Sequence, residues 1–287
     1  AQQLKDCSQH IVVKERFHHH GSPPKEPPDH LLWAYTRCGK IPLERFYVDD
    51  SNNGQGTHYE FSRKHIDSFI DSAAKQKDNR VRHHRVTDVW LFQAFRKHQV
   101  GGLSVLVVGS IEPWVESVVL AFGAKTVTTL EYNRLTYDHP SIHTKTELKP
   151  GDRFDAIVTI TSIDHDGLGR YGDPLAPDGD LLTMQAFADH LNPGGKLFLS
   201  VPVGPDVVVW NLHRRYGVVR LPLLLQGWDI AGRIGWEEGK LTTPANFRRS
   251  YEPIFVLTPA LVDKNDGDRT DGPFENAATV TETKHEL

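Results

Sequence analysis

One stretch of the sequence, residues 103–133, constrains the fold more than any other. It begins with a short β-branched apolar run, Ser104–Val108, and such runs are typical of strands buried on both faces of a parallel sheet. Gly109 then permits a turn, and Pro113 suits the first turn of a helix because it has no N–H group to leave unpaired. A second predicted buried strand, the β-branched run Thr126–Leu130, follows. The stretch therefore predicts a strand–helix–strand unit with parallel strands.

An acidic residue, Glu131, follows the second of these strands, about 20 residues after the glycine, where a carboxylate can accept hydrogen bonds from both ribose hydroxyls of a nucleoside. The loop after the first strand has one glycine, Gly109, followed by Ser110, Ile111 and Glu112. It lacks the G-x-G-x-x-G pattern of dinucleotide sites, and Glu112 adds negative charge where a pyrophosphate would bind. The single glycine and the acid of this loop therefore disfavour NAD and FAD as ligands. They favour a nucleoside ligand without phosphate, of which S-adenosylmethionine (SAM) is the common example. A Rossmann-like unit without a ligand is the alternative.

The composition excludes several classes of protein. Hydrophobic residues make up 38% of the chain and charged residues 24%, as is ordinary for a globular protein. The net charge of −4, without a basic stripe or a D/N-P-P-Y-type motif, argues against a nucleic-acid substrate. No apolar run approaches the roughly 18 residues of a membrane span. There are 16 histidines, but no C-x-x-C or H-E-x-x-H spacing accompanies them, and we predict no metal site.

The two ends of the chain suggest a compartment. Residues 284–287, KHEL, resemble the tetrapeptide by which proteins are retrieved to the endoplasmic reticulum. The chain starts at Ala1, as it would after removal of a signal peptide. Cys7 and Cys38 can pair in an oxidising lumen, or they are two free thiols in the cytosol. We expect a protein of the endoplasmic reticulum lumen that meets the retrieval receptor, with a cytoplasmic location as the alternative.

We predict four regions along the chain. They are an extended N-terminal arm at 1–30, a helical N-terminal extension at 31–100, a Rossmann-like domain at 101–262 and a disordered tail at 263–287. Proline-rich composition supports the arm, and apolar residues at helical spacing between 61 and 77 support the extension. Strands alternating with helices in the third region predict a doubly wound α/β sheet.

The second half of the Rossmann-like domain continues this alternation. Phe154–Ile160 is a third buried strand, and 181–191 reads as an amphipathic helix. We predict a turn at 192–195 and a further strand at 196–201. The last two predicted strands form an antiparallel pair at one edge of the sheet: 227–234 and 251–257.

Several motifs resemble known proteins. The strand–Gly109–helix–strand–Glu131 unit, FDAIVTI and LNPGGKLFLSVP together resemble the class I SAM-dependent methyltransferases. Four more particular segments resemble a domain-of-unknown-function family related to them: YVDD at 47–50, PWVE at 113–116, SIDHDGLGRYGDPLAPDGD at 162–180 and WNLHRRYG at 210–217. The resemblance covers most of the chain. It implies a doubly wound, Rossmann-like, mostly parallel sheet, with no settled reaction.

Ligands of such sheets bind beyond the carboxyl ends of the strands. Three loops meet there: 109–112, 131–133 and 161–180. A nucleoside cofactor would lie across these loops. We expect these residues to bind SAM: Gly109, Ser110, Glu131, Tyr132, Asn133 and Thr161.

The third of these loops, 161–180, is rich in titratable side chains among glycines, as functional loops on a rigid scaffold often are. We predict that His165 is the general base, because the unperturbed pKa of histidine lies near neutrality, and that Asp164 or Asp166 orients it. His213 is the alternative base. The acidic residues of this loop can instead cap turns, and Asp180 can cap the helix that follows. Five further residues are expected to bind the substrate: Asp166, Arg170, Tyr171, Asn211 and Arg214.

The leading hypothesis is a SAM-dependent methyltransferase that O-methylates a glycan or small metabolite in the secretory pathway. A second hypothesis is a non-catalytic binding or scaffold protein whose first loop has lost SAM. A third is a cytosolic small-molecule methyltransferase.

Overall fold

The computed structural model is organised around a mostly parallel sheet with helices on both faces. It describes residues 12–14, 16–18, 22–75, 86–244, 246 and 251–260. The helices are α1 (Asp29–Tyr35), α2 (Arg63–Lys75), α3 (Val86–Lys97), α4 (Trp114–Ala121), α5 (Gly179–Asp189) and α6 (Arg220–Leu224). The strands are β1 (Leu43–Arg45), β2 (His58–Phe61), β3 (Ser104–Val108), β4 (Thr126–Leu130), β5 (Arg134–Tyr137), β6 (Ile142–Lys145), β7 (Phe154–Ile160), β8 (Leu191–Ser200), β9 (Val207–Trp210), β10 (His213–Arg215), β11 (Trp228–Ile234) and β12 (Ile254–Pro259).

The main sheet has seven strands in the order β11-β12-β8-β7-β3-β4-β6. The strands from β8 to β6 all pair in parallel. β12 is antiparallel to both β8 and β11, so β11 points in the same direction as the parallel strands. The chain enters at β3, moves outwards to β4 and β6, and then crosses to β7 on the other side of β3. The strand order therefore reverses between β3 and β7, the place where open α/β sheets bind ligands.

The two faces of the sheet bury separate apolar cores. Along β3, Val105 and Val107 pack with α2, α3 and α4, whereas Leu106 packs on the opposite face with α5 and α6. This alternation follows from the two-residue period of a strand. Each large aliphatic side chain so buried contributes about 1.5–3 kcal/mol relative to exposure. In the described ranges, none of the helices is long and apolar enough to cross a membrane.

The N-terminal part packs beside the main sheet. α1 buries Tyr35 against Trp210 of a small sheet, β1-β9-β10, with the two ring centroids 5.1 Å apart. β2 pairs in parallel with β5. Cys38, just after α1, is disulfide-bonded. Cys7, the only other cysteine of the chain, lies outside the described residues, as do the predicted tail and the KHEL tetrapeptide.

The predicted fold class is confirmed: a doubly wound α/β sheet preceded by a helical extension. The bounds of β3, β4 and β7 agree with the prediction, and so does the antiparallel pairing of the last two strands. The predicted turn at 192–195 is wrong, because these residues lie within β8, which pairs with β7 from Leu191 onwards through an irregularity in register. The sequence analysis missed the short, partly polar strands β5 and β6.

Candidate functional site

The candidate site lies beyond the carboxyl ends of β3, β4 and β7, next to the reversal in strand order. The loop after β3 approaches the loop after β7 closely at Gly109, whose φ is +71°. A Cβ atom on Gly109 would lie 1.8 Å from the Ser162 hydroxyl oxygen, so no larger residue fits without a rearrangement. The Gly109 N–H donates to the Leu130 carbonyl at 2.9 Å. One glycine therefore brings the ends of all three strands together.

Beneath the first loop, Glu116 is fully buried. Its two carboxyl oxygens contact hydroxyl groups: Oε1 lies 2.7 Å from Thr129 Oγ1, and Oε2 lies 2.9 Å from Ser110 Oγ. Burial raises the pKa of Glu116 to about 7. The sequence analysis missed this residue; its only signal is an acid within an apolar helix, in the PWVE segment.

Glu131, after β4, is also largely buried, and burial raises its pKa. Its Oε1 accepts hydrogen bonds from the backbone N–H of Asn133 at 3.1 Å and from the Asn133 side-chain amide at 2.9 Å. The Asn133 Oδ1 in turn accepts from the Thr57 N–H at 2.8 Å. Asn133 therefore orients the acid and also holds the segment that precedes β2.

Two cavities meet this edge of the sheet. The larger has a volume of about 470 Å³, within the range of about 300–1,000 Å³ typical of small-molecule sites. It is lined by the residues after β4, by β5 and by the end of β6 with the residues after it, among them Glu131, Asn133, Lys145 and Glu147. The smaller, about 150 Å³, is lined by the loop after β3 and the start of α4, including Gly109 and Ser110.

The other two predicted cofactor residues line neither of these cavities. The Tyr132 side chain is 43% exposed, and its ring centroid lies 5.9 Å from that of Tyr171. Thr161 has a φ of +47°, an unfavourable conformation for a β-branched residue, and its N–H donates to the Ser200 carbonyl. Strained backbone of this kind clusters at functional sites.

The loop after β7 is shaped by its own acids. The Asp173 carboxylate accepts hydrogen bonds from the N–H groups of Gly167 at 2.7 Å and Gly169 at 3.1 Å. Asp166 accepts from the Thr183 hydroxyl at 2.7 Å, and burial raises its pKa to about 7. Asp166, expected to bind substrate, therefore anchors the loop to α5 instead.

His165 has a different environment from the expected one. Its Nδ1 lies 2.5 Å from the Leu212 carbonyl oxygen and so carries the proton that it donates. Its ring packs edge-on against Tyr171. Burial, helped by the positive charge of Arg170, lowers the pKa of His165 to about 4. The prediction of a histidine with a pKa near neutrality is wrong, because burial outweighs the neighbouring acids.

Of the neighbouring residues Asp164 and His165, it is Asp164 whose pKa lies near neutrality. Its side chain is enclosed, and burial raises its pKa to about 7 against the opposing effect of His213. One oxygen, Oδ2, lies 3.6 Å from Nε2 of His165. The other, Oδ1, is buried without a hydrogen-bond partner in the part of the chain that the structure describes. His213 is largely buried, with Nδ1 3.0 Å from the Arg214 carbonyl oxygen.

Two predicted substrate residues are enclosed and hold backbone. Asn211 accepts from the Val48 N–H at 2.9 Å and donates to the Val48 carbonyl at 2.8 Å. Arg214 donates to the carbonyls of Asp166 at 2.6 Å and Pro177 at 3.1 Å. Both side chains are fully buried and their hydrogen bonds go to backbone groups, so they hold the fold together, which corrects the expectation.

Asp180 lies within the first turn of α5, where Asp178 holds the N-cap position, so the alternative that Asp180 caps this helix is wrong; it belongs to a buried ionic network. Arg220 donates to both of its oxygens, at 2.5 and 2.9 Å, and the Tyr216 hydroxyl donates to it at 2.9 Å. The cations Arg214 and Arg220 outweigh burial and lower the pKa of Asp180 to about 2. Asp178 binds Arg220 and Arg37 beside it. This network fixes the start of α5 and the end of the loop.

A segment that the sequence analysis did not assign to the site crosses this edge of the sheet. We call residues 48–57 the strap. Val48 is held by Asn211 and Thr57 by Asn133, as described above. In the middle, Arg170 binds the Asp50 carboxylate through Nε and Nη2, both at 2.7 Å, and the Asp50 N–H donates to the Arg170 carbonyl. Arg170, predicted to bind substrate, therefore clasps the strap.

Among the described residues, no cluster of three or more histidine, cysteine, aspartate or glutamate side chains is arranged to hold a metal ion.

Comparisons with known proteins place these features in context. The model of the DUF268 family, described as "Caenorhabditis protein of unknown function", matches residues 102–247. None of the curated protein sequences matches the chain. Similar solved structures include a Burkholderia thailandensis 1,6-didemethyltoxoflavin-N1-methyltransferase with bound S-adenosylhomocysteine (SAH), at 15% identity over 68% of this chain and 86% of that one, with a TM-score of 0.43.

Two further structures are similar. A ribosomal protein L11 methylase from Lactobacillus delbrueckii subsp. bulgaricus is 14% identical over 61% of this chain and 80% of its own, with a TM-score of 0.39. A SAM-dependent methyltransferase from Mesorhizobium loti is 14% identical over 58% of this chain and 97% of its own, with a TM-score of 0.37. The sheet order described above is that of a doubly wound, Rossmann-type fold.

Proposed function

This chain belongs to the DUF268 family, and we propose that it is a methyltransferase that takes its methyl group from SAM and transfers it to a hydroxyl acceptor. When bound, SAM supplies an electrophilic methyl group on a sulfonium, and the protein must bind it, orient the acceptor and accept the acceptor's proton.

The observation that carries the proposal is Glu131. It follows β4 at the position where an acid can hold ribose, beside the reversal in strand order, and it lines a cavity of about 470 Å³. Its Oε1 is fixed by Asn133, which orients the carboxylate. The residues present therefore fit a nucleoside without phosphate.

The environment of Asp164 supports a role in removing the proton from the acceptor hydroxyl. Its buried Oδ1 has no hydrogen-bond partner among the described residues. A buried acceptor without a hydrogen bond costs about 1–3 kcal/mol. An acceptor O–H group would supply the missing hydrogen bond. We propose that the hydroxyl proton passes to Asp164, while neutral His165 lies against its other oxygen at 3.6 Å. The acceptor we propose is a hydroxyl of a glycan or a small metabolite.

A second candidate is a binding or scaffold protein that does not use SAM. The internal contacts of the first loop favour it. The Ser110 hydroxyl is occupied by Glu116 and the Glu112 carbonyl, and Glu112 places a further acid at the smaller cavity.

The affinity of Glu131 variants for SAM tests the proposal. Glu131→Ala should weaken SAM binding by about 1–3 kcal/mol, because buried ribose hydroxyls lose their charged acceptor. Glu131→Gln keeps an acceptor for Asn133 and should weaken SAM binding less than Glu131→Ala does. Glu147→Gln, at another acid lining the same cavity, is the matched control and should bind as the unmodified protein does. Equal affinity in Glu131→Ala and in the control, measured by equilibrium dialysis, would exclude this ribose site.

We further propose that the protein works in the secretory pathway. The disulfide at Cys38 supports this, because disulfides persist in oxidising compartments. Removing residues 284–287 from the protein expressed behind a signal peptide should release it into the medium. Equal retention with and without these residues would show that KHEL is not a retrieval signal here.

A further inference from the structure

The buried carboxyl group of Glu116 lies directly under the loop that we propose binds SAM. It is fully enclosed, and in the described part of the chain no lysine, arginine or histidine pairs with it. A buried ionised carboxylate without a cation costs several kcal/mol, so burial without a partner favours the neutral acid.

The hydrogen bonds around this group lead to the same conclusion by counting protons. Ser110 Oγ lies 2.9 Å from Glu116 Oε2 and 3.1 Å from the Glu112 carbonyl oxygen, but a hydroxyl has one proton to donate. If Glu116 is ionised, one of these two contacts has no proton. If Glu116 is neutral, its O–H donates to Ser110, and Ser110 donates to the Glu112 carbonyl. Thr129 donates to the remaining Glu116 oxygen at 2.7 Å, so each contact then has one proton.

The other ionisable groups near Glu116 do not reverse this preference. Glu131, at the end of β4, is an acid whose negative charge further disfavours ionisation of Glu116. Tyr137, from β5, donates its hydroxyl to the Ile111 carbonyl and stays neutral, because burial raises its pKa. On the loop itself, Glu112 faces away towards His65 of α2, with its Oε1 3.8 Å from the histidine Nε2.

We propose that Glu116 is a positioning residue that holds the loop of residues 109–112 in its SAM-binding shape only while it is protonated. The inference rests on the proposed function and adds to it a requirement for one proton in the cofactor site. Loss of that proton removes the hydrogen bond from Ser110 to Glu112 and leaves a buried charge under the loop.

The proposal predicts how affinity depends on pH. Since the proton is required, SAM should bind well below the Glu116 pKa of about 7 and progressively less well above it, by at most about tenfold per pH unit. SAH, which lacks the sulfonium charge, should show the same decline. A simple attraction between SAM and an ionised Glu116 predicts the opposite: SAM affinity rising with pH and little effect on SAH.

The test is calorimetric titration of the full chain with SAM and with SAH between pH 6 and pH 8.5. Glu116→Gln keeps a donor for Ser110 and an acceptor for Thr129 but cannot ionise. It should bind both ligands as the unmodified protein does at pH 6, without the decline that the unmodified protein shows. Titration of the amino group common to both ligands affects variant and unmodified protein alike. Glu44→Gln, at an exposed acid of β1 outside the site, is the control and should keep the decline.

The outcomes separate the two proposals. Binding without a decline in the unmodified protein, or the same decline in Glu116→Gln, overturns the role of Glu116 and leaves the proposed function intact. No binding at any pH overturns the proposed function, and the role of Glu116 with it. A carboxylic-acid band in the infrared spectrum at pH 6 that is absent from Glu116→Gln would support the neutral acid independently of any ligand.

Discussion

At the scale of single residues, burial decides which group can act as a base. His165 and Asp164 are neighbours, yet burial pushes their pKa values towards each other's ordinary range, to about 4 for the histidine and about 7 for the aspartic acid. Burial penalises whichever form is charged, so it raises the pKa of an acid and lowers that of a histidine. A carboxyl group with a pKa near 7 is the better general base at neutral pH.

This assignment predicts a difference between two variants. Asp164→Asn should reduce turnover by about 10²–10⁴ at saturating SAM while leaving SAM affinity unchanged, because the proton acceptor is lost. His165→Gln should reduce turnover much less. Turnover of the unmodified protein should rise with pH through about 7, as Asp164 loses its proton. The transfer of a tritiated methyl group measures the turnover of the two variants and the pH dependence of the unmodified protein. A full loss in His165→Gln with normal turnover in Asp164→Asn would restore the histidine as base.

The sequence located Glu131 directly after β4, and Asp164 and His165 in the loop after β7, because a strand's end is encoded in its run of residues. It did not reveal the pKa of His165 or the importance of Glu116. Both depend on how completely neighbouring elements enclose a side chain, and residue type and spacing do not record that. Asn211 and Arg214 were misassigned for the same reason: a polar side chain that satisfies distant backbone looks like a functional one.

At the scale of elements, the strap joins the N-terminal part to the site. Its ends are held by Asn211 and Asn133 and its middle by the pairing of Arg170 with Asp50. From the sequence this segment was predicted to lie within the helical N-terminal extension, with no role at the site. Its contacts are with residues more than 75 positions away, which no local pattern predicts.

The strap should control how fast the cofactor leaves. Arg170→Ala removes the central clasp while the two ends remain tied, so SAM should dissociate faster, with a smaller effect on its association. Stopped-flow measurement of SAM release gives the rate. Arg63→Ala, which removes a comparable ion pair with Asp67 on the exposed face of α2, is the matched control. Identical release rates in the two variants would mean that the strap does not gate the site.

At the scale of the whole molecule, the order of the sheet follows from the sequence more securely than the site does. β3 and β7 are buried on both faces, so their apolar runs are continuous and easily recognised. The short strands β5 and β6 and the first residues of β8 were missed, because they are held by pairing with neighbouring strands and carry polar or turn-forming residues. These differences change the edges of the fold and leave the location of the site unchanged.

The central claim is that this sheet binds SAM at Glu131. The most direct test is calorimetric titration of the unmodified full chain with SAM and SAH at pH 6.5, where the neutral form of Glu116 predominates. The account predicts saturable binding of one molecule of either ligand per chain, weakened in Glu131→Ala. An absence of binding heat for both ligands, together with an unfolding temperature that neither ligand raises, would contradict it.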